Sequence, residues 1–291
     1  MNISYYLLSK SFDEKFSLKD FMFQKQLTSF LEVLQKVTNN ELVCYSLDLF
    51  DQVFHKGQSL VEWLYSDGED LHDEKRLFQL KLRKMQDVDE ADITTIIGNL
   101  QEKNYSQENA LLAFFQYPIS NVDHRIIVRS SSDCYIANRF YLQFFDDASS
   151  FLGNYESCFP QLYIHERVYQ TLKRMKPFRD YIEELILHLT ALNDHAQPLF
   201  SQYQDQSENV VLKYLGIKGD IYCSIQGDPA YERANMCFEF PSDEGGAISI
   251  ICAPHTKLFN KYSNERIYFH WGHPLIGNGD KLLIGHIGDH L

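Results

Sequence analysis

A polar stretch, Ser201-Gln202-Tyr203-Gln204-Asp205-Gln206-Ser207-Glu208-Asn209, separates two parts of the chain with different hydrophobic periods. Before it, apolar residues recur at three-to-four spacing over residues 135–151, 164–175 and 178–192, which predicts three packed helices. Pro160 and Pro177 punctuate their boundaries. After it, residues 236–240, 247–252, 266–271 and 281–287 are short β-prone runs. They are separated by Asp243-Glu244-Gly245-Gly246, by a loop around Asn260 and by Gly277-Asn278-Gly279-Asp280, the pattern of an antiparallel meander. The expected architecture is α+β, with a mixed, mostly helical region over 1–205 that recognises or regulates and a β-rich domain over 206–291.

The N-terminal part is itself mixed. Ser17-Leu18-Lys19-Asp20 resembles a helix start, and Phe21, Leu27, Phe30, Leu31 and Leu34 follow at helical spacing up to Asn39-Asn40. Residues 73–85 and 90–100 predict two more helices, and residues 3–8, 42–47 and 125–129 predict short strands. A small sheet flanked by helices accommodates them. The carboxylates Asp67, Glu69, Asp70, Asp73 and Glu74 precede a helix, where they cap it and face water more often than they hold a cation.

No apolar run approaches the roughly 20 residues that span a bilayer, and residues 1–8 lack a basic n-region and a full apolar h-region, so a cytoplasmic protein is expected. Six cysteines lie far apart with no CxxC pair, which predicts buried thiols and no disulfide framework. The formal charge of -13 argues against a surface that coats nucleic acid. From residue 251 onward, however, Lys257, Lys261, Arg266 and Lys281 outweigh Glu265, Asp280 and Asp289, which permits an anionic substrate locally. Residues 216–227 lack the GKS or GKT ending of a phosphate loop, and no GxSxG is present, so those chemistries have no support.

Five of the eleven histidines, His255, His270, His273, His286 and His290, fall in the last 37 residues. Cleaving RNA by its own 2′-hydroxyl needs a base, an acid and a cation for the phosphorane charge, and histidine, lysine and arginine supply all three without metal. Histidine is the natural proton carrier near neutral pH. The plainer reading is that these are structural or merely exposed side chains on short strands. His165 and His188 sit on expected helices and are most simply packing or surface residues. Cys252-x-x-His255, His270-x-x-His273 and His286-x-x-x-His290 have zinc-ligand spacing. If residues 247–252 pair with 266–271, though, the first two pairs stand roughly 13 Å apart, so no metal or other cofactor is expected.

Pro254-His255-Thr256-Lys257-Leu258, then Arg266-Ile267-Tyr268-Phe269-His270-Trp271, then Leu282-Leu283-Ile284-Gly285-His286-Ile287-Gly288-Asp289-His290-Leu291 together resemble the C-terminal half of the RelE-like ribonuclease toxins over residues 250–291. The resemblance implies a small antiparallel sheet packed on helices, with RNA cleaved on its exposed face without metal. It implies Lys257 and Arg266 on the phosphate and His286, with His255 or His270, as proton carriers. Where many relatives place a basic group after Ile-Gly-His, this chain has Ile287-Gly288-Asp289-His290, so the proton-transfer residue stays open. The setting implied is a toxin or antiviral defence effector regulated by its own N-terminal region.

Two functions follow. One is a metal-independent endoribonuclease whose partner at the C-terminal domain is RNA. The other is a non-catalytic protein-binding subunit with an inactive RelE-like domain, its acidic N-terminal region facing a basic protein partner; neither needs a membrane. For the enzyme, stepping inward from the turn at 277–280 places Arg266 opposite His286 and Phe269 opposite Leu283. Ile267, Phe269 and Leu283 then share a buried face, and Arg266, Tyr268, His270 and His286 share the other.

Overall fold

A computed structural model describes residues 1–17, 22–66 and 71–291. Leu18, Lys19 and Asp20 of the expected helix start, Phe21 of the pattern that follows it, and the carboxylates Asp67, Glu69 and Asp70 lie outside the described residues. The chain folds as a mixed α/β protein in two compact units, residues 1–141 and 142–291. All six cysteines are free, and among the described residues no helix is long and apolar enough to cross a membrane.

The first unit contains β1 (Ser4–Leu7), α1 (Phe23–Val37), β2 (Val43–Tyr45), the short hairpin β3 (Val53–His55) and β4 (Gln58–Ser59), α2 (Leu60–Tyr65), α3 (His72–Leu82), β5 (Gln86–Asp87), α4 (Glu90–Gln101), β6 (Asn109–Leu112), β7 (Ile127–Val128) and α5 (Ser131–Leu142). Its five-stranded sheet has the order β5-β2-β1-β6-β7, and every neighbouring pair is parallel. The small sheet among helices expected here is thus a parallel α/β sheet. Parallel strands in the middle of a sheet are covered on both faces and lose apolar alternation. Accordingly, β6 is buried at all four positions, and nothing in Asn-Ala-Leu-Leu signals a strand. The core beside the sheet is aromatic: Phe12 lies 5.3 to 6.2 Å, ring to ring, from Phe30, Phe54, Phe78 and Phe114. Separations and tilts of this kind add to the burial of each ring.

The second unit contains α6 (Ala148–Gly153), α7 (Tyr155–Cys158), β8 (Leu162–Ile164), α8 (Arg167–Leu172), α9 (Ile182–Ala191), α10 (Gln197–Gln202), α11 (Glu208–Gly219), β9 (Tyr222–Ile225), α12 (Pro229–Asn235), β10 (Cys237–Pro241), β11 (Ala247–Ile251), β12 (Pro254–Lys257), β13 (Glu265–His270) and β14 (Leu282–Asp289). The division expected between 205 and 206 therefore falls inside this unit, between α10 and α11, because β8 from the helical middle pairs with β14 and completes the sheet. The chain also stays helical beyond residue 210, through α11.

The main sheet runs β8-β14-β13-β12-β9, antiparallel except for the β8–β14 edge. The simple meander gives way to two layers: β10 and β11 pair only with each other among the described residues, and β12 takes the place beside β13 expected for β11. On one sheet face, Thr256 of β12 meets His188 of α9 through a 2.7 Å hydrogen bond, and Ile267, Phe269 and Ile287 are buried. On the other face the β10–β11 hairpin packs, with Phe238, Phe240, Ile250 and Cys252 forming one core with Tyr268 and Leu283.

Register follows from this second layer. An ideal Cβ on Gly285 would fall 2.6 Å from the Phe238 ring and 2.8 Å from Cys252 Sγ, so only a glycine admits the hairpin there. At that residue the β13–β14 ladder slips: Tyr268 pairs with His286, and Phe269 pairs with Ile284, leaving Gly285 as the extra residue of a β-bulge. Arg266 consequently stands opposite Gly288 and not His286, and Phe269 opposite Ile284 and not Leu283. The offset at Arg266 is two residues, and a shift of two preserves faces. Arg266 and His286 remain on one side of the sheet.

Replacing Gly285 by Ala overpacks the Phe238–Cys252 contact and is expected to lower the stability of the second unit by about 1–3 kcal/mol. Chemical denaturation followed by Trp271 fluorescence checks this.

Candidate functional site

Cross-strand pairs share a face, as do alternate residues along a strand. The registers therefore arrange the residues singled out by sequence into two rows on the hairpin side of the main sheet. The inner row is Ser224, His255, Tyr268 and His286, and the outer row is Tyr222, Lys257, Arg266 and Gly288. His270 lies on the far side of the bulge from His286, opposite Leu283. Lys257, Arg266, His255 and His286 are brought together; His270 is separated from them along β13.

The inner row is closed to water. His255, Tyr268 and His286 are only 3%, 0% and 4% exposed, so the open sheet face expected for RNA cleavage is covered here. Hydrogen bonds define the protonation of both histidines. His255 Nδ1 lies 3.2 Å from the Ala253 carbonyl oxygen, which can only accept, so Nδ1 carries the proton. Its Nε2 then accepts from the Ser224 hydroxyl at 2.8 Å. His286 Nε2 lies 2.9 Å from the Asp289 carbonyl oxygen and is the protonated nitrogen, which leaves Nδ1 as a buried lone pair with no partner.

Burial pushes His255 and His286 each down to about 4, because a dry environment disfavours the imidazolium. His188 on the opposite face is also held at about 4 by burial, which outweighs the Glu184 carboxylate 3.4 Å from its Nε2. His270 is lowered by the same cause. At neutral pH these histidines are uncharged: His286 offers a lone pair at Nδ1, and neither His255 nor His286 is an acid in the resting fold.

In the outer row Lys257 and Arg266 are half-buried and cationic. Lys257 and Arg266 are direct cross-strand partners, and among the described residues neither forms an ion pair. Arg266 Nη1 donates to Tyr268 Oη at 3.3 Å, while its Nε is buried without a partner. Tyr268 Oη also accepts from the Leu291 backbone N–H at 3.4 Å, and its phenol is pushed up, chiefly by burial. Tyr231 of α12 donates to the Leu291 carbonyl at 2.6 Å, so the end of the strand region and α12 meet beside the tyrosine. Two unpartnered buried side-chain atoms, Arg266 Nε and His286 Nδ1, thus flank Tyr268: one donor and one acceptor.

Sequence reasoning placed Tyr268 on the face of Arg266 and His286 without giving it a role, and it missed Ser224. Tyr268 stood in the quoted motif between Arg266 and His270, and its place two residues from Arg266 on a strand was the signal. Ser224 carried none, because β9 lacks an apolar run. The zinc-like pairs are not assembled: among the described residues no three His, Cys, Asp or Glu side chains are grouped so as to hold a metal ion. Cys252 does not lie beside Arg266 as the meander required, but bonds through its backbone to Met236 and packs at Gly285. No family model, no curated protein and no solved structure matches the chain.

Buried neutral histidines give the second unit a defined pH response. The unfolded chain binds protons on them near pH 6.5 and the folded chain near pH 4, so between those values the unfolded state holds more protons. Stability is present above pH 6.5 and is lost as pH falls towards 4, at about 1.4 kcal/mol per histidine for each pKa unit of separation. Denaturant midpoints measured from pH 7.5 to 4.5 should fall steadily, and His255→Gln with His286→Gln should flatten the slope.

Proposed function

We propose that the second unit is a metal-independent endoribonuclease, with the Lys257–Arg266 pair seated on the RNA phosphate. The observation that carries this reading is the pair itself. Two cations directly opposite each other on neighbouring strands repel, and among the described residues neither forms an ion pair with a carboxylate. A bridging phosphate relieves that repulsion, and arginine's planar donors suit a phosphoryl group. Arg266 Nε, a donor without a partner, and His286 Nδ1, an acceptor without a partner, are what a 2′-hydroxyl beside the phosphate requires: one to stabilise its oxygen, one to take its proton. His286 is the base in this reading: its Nδ1 takes the 2′-hydroxyl proton as the bond from the 2′-oxygen to phosphorus forms and the bond to the 5′-oxygen breaks, and water gives the leaving 5′-oxygen its proton. His255, whose two nitrogens are both engaged, positions the Tyr268 ring 4.9 Å away. His270, beyond the bulge, takes no part.

A second reading, a phosphate-recognising binding subunit without cleavage, is favoured by the burial of the same histidines. With His255 and His286 nearly inaccessible, chemistry requires the layer over the inner row to open. In either case the first unit serves as the regulatory or recognition part, and the biological setting in keeping with such an activity is a toxin or antiviral defence effector in the cytoplasm.

Purified full-length protein incubated with total RNA separates the two readings. Lys257→Ala and Arg266→Ala should each reduce cleavage by about 100-fold, the loss typical of removing one donor to developing charge, without lowering the thermal midpoint, since each variant removes the repulsion within the pair. His286→Ala should remove cleavage while keeping RNA affinity. RNA bound tightly by the wild type with no cleavage at any pH supports the binding reading, and full cleavage by both cation variants contradicts the site.

A further inference from the structure

We infer that the first unit binds a ribonucleoside 5′-monophosphate in the cavity at the carboxyl ends of β1 and β6, with Glu90 on the ribose hydroxyls and Lys10 on the phosphate. This site is independent of the reading given to the second unit.

The strand order β5-β2-β1-β6-β7 locates it. From β1 the chain passes to β2 and β5 on one side, then returns to β6 and β7 on the other. The order therefore reverses between β1 and β6, and in open parallel sheets such a reversal leaves a crevice outside the strands' carboxyl ends, where connections diverge and ligands bind. A cavity of about 280 Å³ lies there. It is lined by Ser9 and Lys10 just past β1, by Glu90 at the start of α4 and by Ser120 beyond β6, among others.

Its polar side is built. Ser9 and Ser46 are the second and first residues beyond β1 and β2, and both are buried. Their hydroxyls are 2.9 Å apart. Ser46 donates to Glu90 Oε2, and Ser9 lies 3.3 Å from the same oxygen. One carboxylate oxygen is thus fixed from behind by two side chains on adjacent strands, while the hydrogen bonds of the described residues leave Oε1 unengaged. A carboxylate held in this way accepts hydroxyl donors, and neighbouring hydroxyls of a ribose satisfy it best. Lys10 supplies the cation for an anionic group on the same ligand, and Ile97, Tyr117 and Ile119 offer an apolar wall to a flat base.

Size and backbone restrict the class further. The volume is at the lower end of small-molecule sites, about 300 Å³. Residues 8–13 contain no glycine, so the turn after β1 lacks the bare backbone that a pyrophosphate approaches in dinucleotide sites. A divalent cation is disfavoured because, among the described residues, Glu90 is the only carboxylate lining this cavity and Lys10 shares it.

AMP, GMP, CMP and UMP titrated separately into the full chain by calorimetry test the inference. At least one should bind saturably, and its 2′,3′-dideoxy counterpart should bind at least about tenfold more weakly, the loss expected for hydrogen bonds to a charged group. Glu90→Gln should weaken the nucleotide similarly, and Lys10→Ala should erase the preference for nucleotide over nucleoside. Thr94→Trp, at an exposed position lining the cavity, fills it without disturbing the core and should abolish binding. Absence of saturable binding by all four nucleotides, or equal affinity in the wild type and in Thr94→Trp, overturns the assignment.

Discussion

The contact between the β10–β11 hairpin and the bare backbone of Gly285 determines most of what matters in the second unit. Phe238 and Cys252 approach so closely that a side chain there would collide with them. The strand accommodates the glycine as a bulge, and the bulge fixes which residues of β13 and β14 oppose each other. From that register follows the row of Tyr268 with His286, and from the same sheet the pairing of Lys257 with Arg266. The hairpin also dries the face it covers, which is why the histidines on it are neutral.

Dryness and charge then divide the face. The inner row exchanges hydrogen bonds with fixed acceptors, leaving one imidazole nitrogen unused. The outer row holds two cations, neither of which forms an ion pair among the described residues. An anion placed between those cations would be attracted more strongly than in water because the surroundings are partly desolvated. The same anion would raise the proton affinity of a nearby imidazole, turning a weakly basic His286 into a better base when substrate is present.

Much of this arrangement was legible from residues. The strands at residues 3–8 and 42–47 and the helices at 73–85 and 90–100 appear nearly where local pattern puts them, as β1, β2, α3 and α4. Strands β6, β8 and β12 were not foreseen, for a common reason. Each is short and buried at most positions, so period-two alternation is absent. The boundary at 205/206 followed a change of local period, whereas the unit is defined by β8 joining β14 across more than a hundred residues, which local pattern does not report. Arg266 and His286 share a face despite the altered register because the slip is even. Their burial was not readable: it depends on a hairpin folding back over the sheet, and a strand's own sequence does not say which layer will cover it.

The central claim is that Lys257 and Arg266 are held side by side for a phosphate. Thermal unfolding of the full chain at fixed pH and fixed ionic strength, with chloride progressively replaced by inorganic phosphate, tests it without relying on catalysis. A ligand that binds only the folded state raises its stability by mass action. The wild-type midpoint should rise with phosphate, and the rise should vanish in a Lys257→Ala, Arg266→Ala double variant. An equal rise in both proteins, or none in the wild type, contradicts the account.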